Sequence, residues 1–217
     1  MKDRLTIPSL CDEAMYFAEV ESAHFEPLLF GITDGKAVGT YLEHKFQEHL
    51  RTKYTYEEGN SARGIDFPEL LVDIKVTSVK QPQSSSPFKS AGQKIFGLGY
   101  SLLVFVYEKT DDAAASAARL NILHTIFVER SRTGDYQTTS GIRKILQNNG
   151  NEDDLIAFMQ ERMLPVDDVQ ATEIAQKLLA KAPEIGYLTI SNALQWRLQY
   201  RRVIELAGEV DGLIRVR

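Results

Sequence analysis

The stretch GIDFPELLVDIKVTS, Gly64 to Ser78, sets an acid and a lysine two residues apart in a run that otherwise reads as a strand. Residues at i and i+2 of a strand point to one side, so Asp73 and Lys75 share a face. Their neighbours Leu70, Leu71, Val72, Ile74 and Val76 are apolar, and a third charge, Asp66, stands at the mouth of the preceding turn. Two readings compete. One is a surface ion pair, worth little to stability; the other is part of a metal site. Unpaired charge is costly in buried surroundings, and two acids with a lysine in such a segment point to a functional site.

Upstream of that strand, TDGKAVGTYLEHKFQEHL reads as a helix. Asp34 is its N-cap, Val38, Leu42, Phe46 and Leu50 form its core stripe at every fourth residue, and it is expected to end near Lys53. Gly39, Glu43 and Gln47 form the adjacent stripe, at the edge of the buried face. Another helix is expected within residues 12–30, and KYTYEE carries a strand signal. Downstream, VKQPQSSSPFKSAGQ holds two prolines and four serines and reads as an exposed loop, interrupted by a turn of helix near Gly92–Phe96. YSLLVFVYEK is an almost unbroken apolar run, as expected of a central strand buried on both faces, and LNILHTIFVE repeats the pattern in a neighbour.

Beyond Glu129 the pattern turns helical. SGIRKILQNNG, EDDLIAFMQERML (stopped by Pro165) and VQATEIAQKLLAKA (capped by Asp168) read as three helices, TISNALQWRLQYRRVIELA as a longer one, and GLIRVR as a terminal strand. That order suits a winged helix-turn-helix. The expected fold is therefore α/β (α+β). A mixed central sheet flanked by helices spans residues 1–149, and a mostly helical, winged-helix-like DNA-binding region spans 150–217, with a soft boundary near Asn149–Asn151.

Phosphodiester hydrolysis calls for a divalent cation held by hard oxygen ligands. A nearby lysine positions the attacking water or neutralises the transition state. If Asp66 ends one strand and Asp73 lies in the next, or in the same bent strand, both carboxylates converge on one cation with Lys75 beside them. Glu43 adds an acid if its helix packs on the sheet. A solvated glutamate at a helix edge is an equal reading, and Glu48, Glu57 or Glu58 compete for the role.

These residues resemble the PD-(D/E)xK nuclease superfamily, in which an acid, a spacer and an acid-x-lysine triplet form the metal site on a mixed sheet. The matching residues are Ile65-Asp66, Asp73-Ile74-Lys75 and the helical Glu43 in GTYLEHKF; Ile65 stands where the family usually has proline. The wider stretch ARGIDFPELLVDIKVTSVKQPQSSSPF looks most like the type II restriction endonucleases of that superfamily, with the resemblance covering roughly residues 35–130. It implies Mg2+ held by Asp66 and Asp73 with Glu43 assisting, and Lys75 orienting the water. It also implies double-stranded DNA cut to 5′-phosphate ends, and a homodimer on a symmetric target.

Composition narrows the remaining classes. At 217 residues, 43% hydrophobic and 25% charged, the chain reads as globular and soluble. Its longest apolar run, near Ser101–Tyr107, is too short to span a membrane, and MKDRLTIPSLCDEAMYF lacks the apolar core of a signal peptide. The single cysteine, Cys11, excludes an internal disulfide and suits a reducing cytoplasm. The four histidines form no zinc pattern with it.

With a net charge of −5, DNA contact requires a local field. Between Asp73 and Glu108 there is no acid, while Lys75, Lys80, Lys89 and Lys94 are present. Gln81, Gln83, Ser84, Ser85 and Ser86 add neutral donors for phosphate contact, a merely solvated loop being the equal reading of the serines. On the long C-terminal helix, Ser191, Asn192, Gln195, Gln199 and Arg202 share one polar stripe of the residue types that pair with base edges. Trp196 and Tyr200 are assigned to core packing. The expected function is a sequence-specific, Mg2+-dependent DNA endonuclease. A repair or transposition nuclease that nicks with a partner keeps the same core. A DNA-binding regulator would have no use for intact Asp66, Asp73 and Lys75.

Overall fold

The computed structural model describes residues 2–59, 64–87, 89–191 and 196–217. β1 (Asp3–Arg4) leads into α1 (Ile7–Ala23), where Thr6 and Ser9 form a reciprocal capping box. β2 (Phe25–Glu26) precedes α2 (Gly35–Lys53). There the Asp34 carboxylate accepts from the Lys36 and Ala37 N–H groups at 3.0 and 3.3 Å, as its N-cap role predicts. Then come β3 (Tyr54–Thr55), β4 (Val72–Ser78), β5 (Gln83–Ser86), α3 (Gly92–Phe96), β6 (Ser101–Asp112) and β7 (Ala117–Val128). The chain continues through α4 (Tyr136–Gln147), α5 (Glu152–Glu161), α6 (Asp168–Ala180), β8 (Thr189–Ser191), β9 (Trp196–Gln199), α7 (Arg201–Leu206) and β10 (Leu213–Arg215).

The central sheet is mixed and runs β10-β7-β6-β4, with β2 also paired to β7. β4 lies parallel to β6, and the other pairs are antiparallel. β6 shows why its sequence is so apolar. Leu103, Phe105 and Tyr107 face a core built with Leu10, Phe17, Leu42, Phe46 and Leu50 of α1 and α2. Leu102, Val104 and Val106 face a second core with Ile190, Trp196, Leu198, Tyr200 and Val203. A strand covered on both sides has no polar alternation to display. The helices α3 to α6 bury a separate cluster that includes Ile95, Ile142, Leu155, Met159 and Leu178.

Two expectations are corrected. The stretch read as a recognition helix forms β8, β9 and only a short α7, and β9 is the middle strand of a three-stranded antiparallel sheet, β5-β9-β8. The helical reading placed residues at about 100° each, and the apolar flank it used, 190, 194 and 198, is spaced by four, a spacing that shares a face in a strand as well. Trp196 and Leu198 are buried between exposed Arg197 and Gln199, which is the period of a strand. A winged helix is therefore not what Thr189 to Leu206 build among the described residues, and β10 joins the central sheet beside β7. The polar loop after Ser78 is likewise part strand: Gln83–Ser86 pairs with Gln199–Trp196. Trp196 and Tyr200 are core residues, as assigned.

The path into β8 depends on a glycine that only the packing explains. A Cβ on Gly186 would lie 2.1 Å from the Gly134 carbonyl carbon and 2.5 Å from its Cα. The two backbones run side by side there, with the Leu188 N–H donating to Gly134 O at 3.1 Å and the Tyr136 N–H to Leu188 O at 2.8 Å. Gly186→Ala is expected to destabilise by at least about 1–3 kcal/mol, the usual range for overpacking, because backbone cannot rotate aside. A urea unfolding midpoint equal to that of the parent would refute the close approach.

Candidate functional site

β4 is an edge strand of the central sheet, and its Asp73 and Lys75 share one face. Lys75 Nζ lies 2.7 Å from Asp73 Oδ2, with Asp73 buried and the Lys75 side chain 16% exposed. Asp66 reaches the same place from the segment before the strand. Its Oδ2 accepts from the Ile74 N–H at 2.7 Å, and its carboxyl is within hydrogen-bonding reach of Asp73. The three charges of the sequence pattern are therefore one cluster.

α2 closes the cluster from its polar-edge stripe. Gly39 packs over Val76, where a Cβ would stand 3.9 Å from the Val76 Cβ. One turn on, Glu43 is half-buried and close enough to Asp73 and Lys75 for their charges to act on it. One turn further, Gln47 Nε2 donates to Asp66 Oδ1 at 3.3 Å. Gln47 was not singled out from the sequence as a site residue, although its spacing of four from Glu43 carried the signal. Glu48 is exposed, and Glu58 pairs with Arg51.

The electrostatics are those of a site short of positive charge. Burial, and then the neighbouring Asp66, push the Asp73 carboxyl up to about 7 against the pull of Lys75. Burial also pushes Glu43 up to about 7. Burial opposes the charge on Lys75, but the adjacent Asp73 outweighs it and holds the ammonium protonated. Tyr100 and Tyr200 also lie within electrostatic reach of Lys75. Their hydroxyls are hydrogen-bonded to Ser86 at 3.0 Å and Ser84 at 2.5 Å, tying β5 to the cluster. Among the described residues, no three His, Cys, Asp or Glu side chains form a ready-made metal cage.

A folded value above the unfolded one means that Glu43 binds its proton more tightly in the native state. Its contribution to stability is full below about 4.5 and is lost as pH rises through about 7. Glu43→Gln should remove that loss. In chelator, its melting temperature relative to wild type should rise between about pH 5 and about pH 8. An offset that ignores pH would show that Glu43 carries no raised affinity for its proton.

A groove of about 760 Å³ leads to Glu43. One wall is the start of α2 with Lys36 and Thr40; the other is formed by Thr77, Gln81, Gln83, Ser84, Ser85 and Arg197. Gln81, Gln83, Ser84 and Ser85 of the sequence reading thus line it, while Lys80 and Lys89 are exposed nearby in sequence. Lys94 is buried, with its Nζ 5.8 Å from the centroid of the Trp196 ring, and Ser86 is buried against Tyr100. The Arg202 guanidinium packs 3.9 Å from the Tyr136 ring centroid. Ser191 ends β8 opposite Arg197, and Gln199 is exposed on β9. Asn192 and Gln195 lie outside the described residues. Arg197 was not singled out from the sequence, because a helical period hides the alternation that exposes it.

No helix among the described residues is long and apolar enough to cross a membrane. No solved structure matches the chain. A family model described as type II restriction enzyme NspV matches residues 4–215. The type II restriction enzyme NspV of a Nostoc species is 63% identical over 212 residues, covering 98% of this chain and 96% of that protein. With the match running through both the carboxylate cluster and the three-stranded sheet, the chain belongs to the NspV family of type II restriction enzymes.

Proposed function

We propose that the protein is a sequence-specific, Mg2+-dependent endonuclease for double-stranded DNA, with Asp66, Asp73, Glu43 and Lys75 as its catalytic group. The observation that carries this reading is the convergence of Asp66 and Asp73, beside Lys75, at the edge strand β4. The donor set suits a hard divalent cation: two carboxyls stand in mutual contact, and burial raises the affinity of Asp73 for a proton that a cation would displace. Mg2+ is commonly held by one or two carboxylates, with water and substrate phosphate completing its shell, so a full protein cage is not required. Asp66 and Asp73 would hold it, with Glu43 assisting. Bound there, the ion supplies positive charge beside the scissile phosphate and the acidification of a water.

Lys75 stays protonated and orients the attacking water, its position fixed by the 2.7 Å pairing with Asp73. Gln47 holds the Asp66 carboxylate from α2, and the Ile74 N–H holds it from β4. The groove beside Glu43 is where a stretch of one DNA strand would approach the cluster, with exposed Lys80 and Lys89 offering phosphate contacts. One site per chain cuts both strands if two chains bind a symmetric target as a homodimer.

The test is digestion of long unmethylated DNA by the purified protein, with and without Mg2+. Discrete fragments that require the metal support the reading. Nicks alone would favour a nuclease that needs a partner, and an uncut substrate with every divalent metal would overturn it.

A further inference from the structure

The outward face of the three-stranded sheet is the least ordinary surface of the molecule. On β9, Arg197 and Gln199 point out while Trp196 and Leu198 point into the core. Their cross-strand partners are Ser85 and Ser191 for Arg197, and Gln83 and Thr189 for Gln199. Six adjacent outward positions therefore carry one arginine, two glutamines and three hydroxyls, with no carboxylate, lysine or apolar side chain. Among the described residues, no hydrogen bond or ion pair engages the Arg197 guanidinium or the Gln83 and Gln199 amides. An arginine without an acidic partner, beside amides with unused donors and acceptors, is a surface short of a polar ligand.

Its position says which ligand. Arg197, Gln83 and Ser85 line the groove that also contains Glu43, so a ligand seated on this edge of the face reaches the α2 side of the carboxylate cluster. Arginine pairs bidentately with the O6 and N7 of guanine, and glutamine with the N6 and N7 of adenine, in a major groove that admits β-strands. Alternate residues of a strand stand about 6.8 Å apart, twice the base-pair step of about 3.4 Å. Side chains at 197 and 199 thus match bases two steps apart.

We propose that the β5-β9-β8 face is the base-reading surface of the enzyme, with Arg197 contacting a guanine and Gln199 an adenine of the target. This rests on the nuclease reading above and assigns its specificity to a sheet. The buried face of the same strands touches the catalytic surroundings through the Ser84–Tyr200 and Ser86–Tyr100 hydrogen bonds. The proposed reading face and the surroundings of Lys75 are thus joined through one sheet.

The experiment has two stages. Wild-type protein first defines the target by its Mg2+-dependent cuts. Binding is then measured in an Asp73→Ala background, on a short duplex carrying that target and on a random-sequence duplex, over a range of salt. Arg197→Ala should weaken target binding by roughly 10- to 100-fold, while random-duplex binding and its salt dependence stay unchanged. Arg197→Lys should lose nearly as much, because an ammonium cannot make the bidentate pair. Replacing the target guanines with 7-deazaguanine should weaken the parent and leave Arg197→Ala indifferent.

Equal losses on both duplexes, with a salt slope smaller by about one, would make Arg197 a phosphate contact and overturn the proposal. Target binding retained in Arg197→Lys, or untouched in Arg197→Ala, would overturn it too. Wild type that cuts at no fixed sequence would overturn both this and the nuclease reading. Wild type that cuts specifically, with the Arg197 variants keeping full preference, would overturn this alone.

Discussion

Asp73→Ala should lower the single-turnover rate of DNA cleavage by at least about a thousandfold, equivalent to about 4 kcal/mol of transition-state stabilisation. Asp73 is the residue on which the cluster turns. It pairs with Lys75 at 2.7 Å, meets the Asp66 carboxyl, and acts electrostatically on Glu43. On the proposed mechanism, its removal takes away one of the two carboxylates that would hold the metal and the partner that anchors Lys75 at 2.7 Å. Raising Mg2+ should not restore the rate, since Lys75 loses its 2.7 Å partner as well. The strand itself should persist, because the pairing of β4 with β6 runs through backbone groups. Cleavage within tenfold of wild type, from a variant that melts normally, would remove Asp73 from the machinery.

Phe46→Ala should cost about 3–5 kcal/mol, the range for emptying a fully buried aromatic site. Phe46 has no exposed surface, and its ring centroid lies 5.1 Å from that of Phe17 and 5.2 Å from that of Phe105. It thus joins α1, α2 and β6. Set against the usual total of about 5–15 kcal/mol, the loss is a large share of the fold's stability. It reaches the site as well, since Phe46 lies between Glu43 and Gln47 on the same helix. The urea midpoint should fall with little change in its slope. A shift under about 1 kcal/mol would show that this face of α2 is loosely packed.

The helix that carries Glu43 was legible because its apolar stripe has one period and its cap one donor geometry. Val38, Leu42, Phe46 and Leu50 are all buried, and Asp34 caps as read. β6 was legible because an unbroken apolar run leaves a strand few alternatives to a sheet interior. The acid-x-lysine strand was legible because alternation alone puts Asp73 and Lys75 on one side. These are local facts, written in the spacing of neighbours along the chain.

What the tertiary structure decided is what spacing cannot encode. Residues 190, 194 and 198 fall on one side of a helix or of a strand, so periodicity could not choose between them. Pairing chose the strand: Gln83 to Ser86 supplies the partner for Trp196 to Gln199 from more than a hundred residues away. The same pairing turned a serine-rich loop into β5 and aimed Arg197 at the groove. Likewise, nothing local distinguishes Gly186 from any turn glycine; the Gly134 backbone beside it does. The sequence by itself determined that Asp73 and Lys75 share a face and that Glu43 lies beside the buried stripe of its helix, because residue type and near-neighbour period are enough for that. The three-stranded sheet and the outward aim of Arg197 were decided by long-range hydrogen bonding, whose partners no local pattern names.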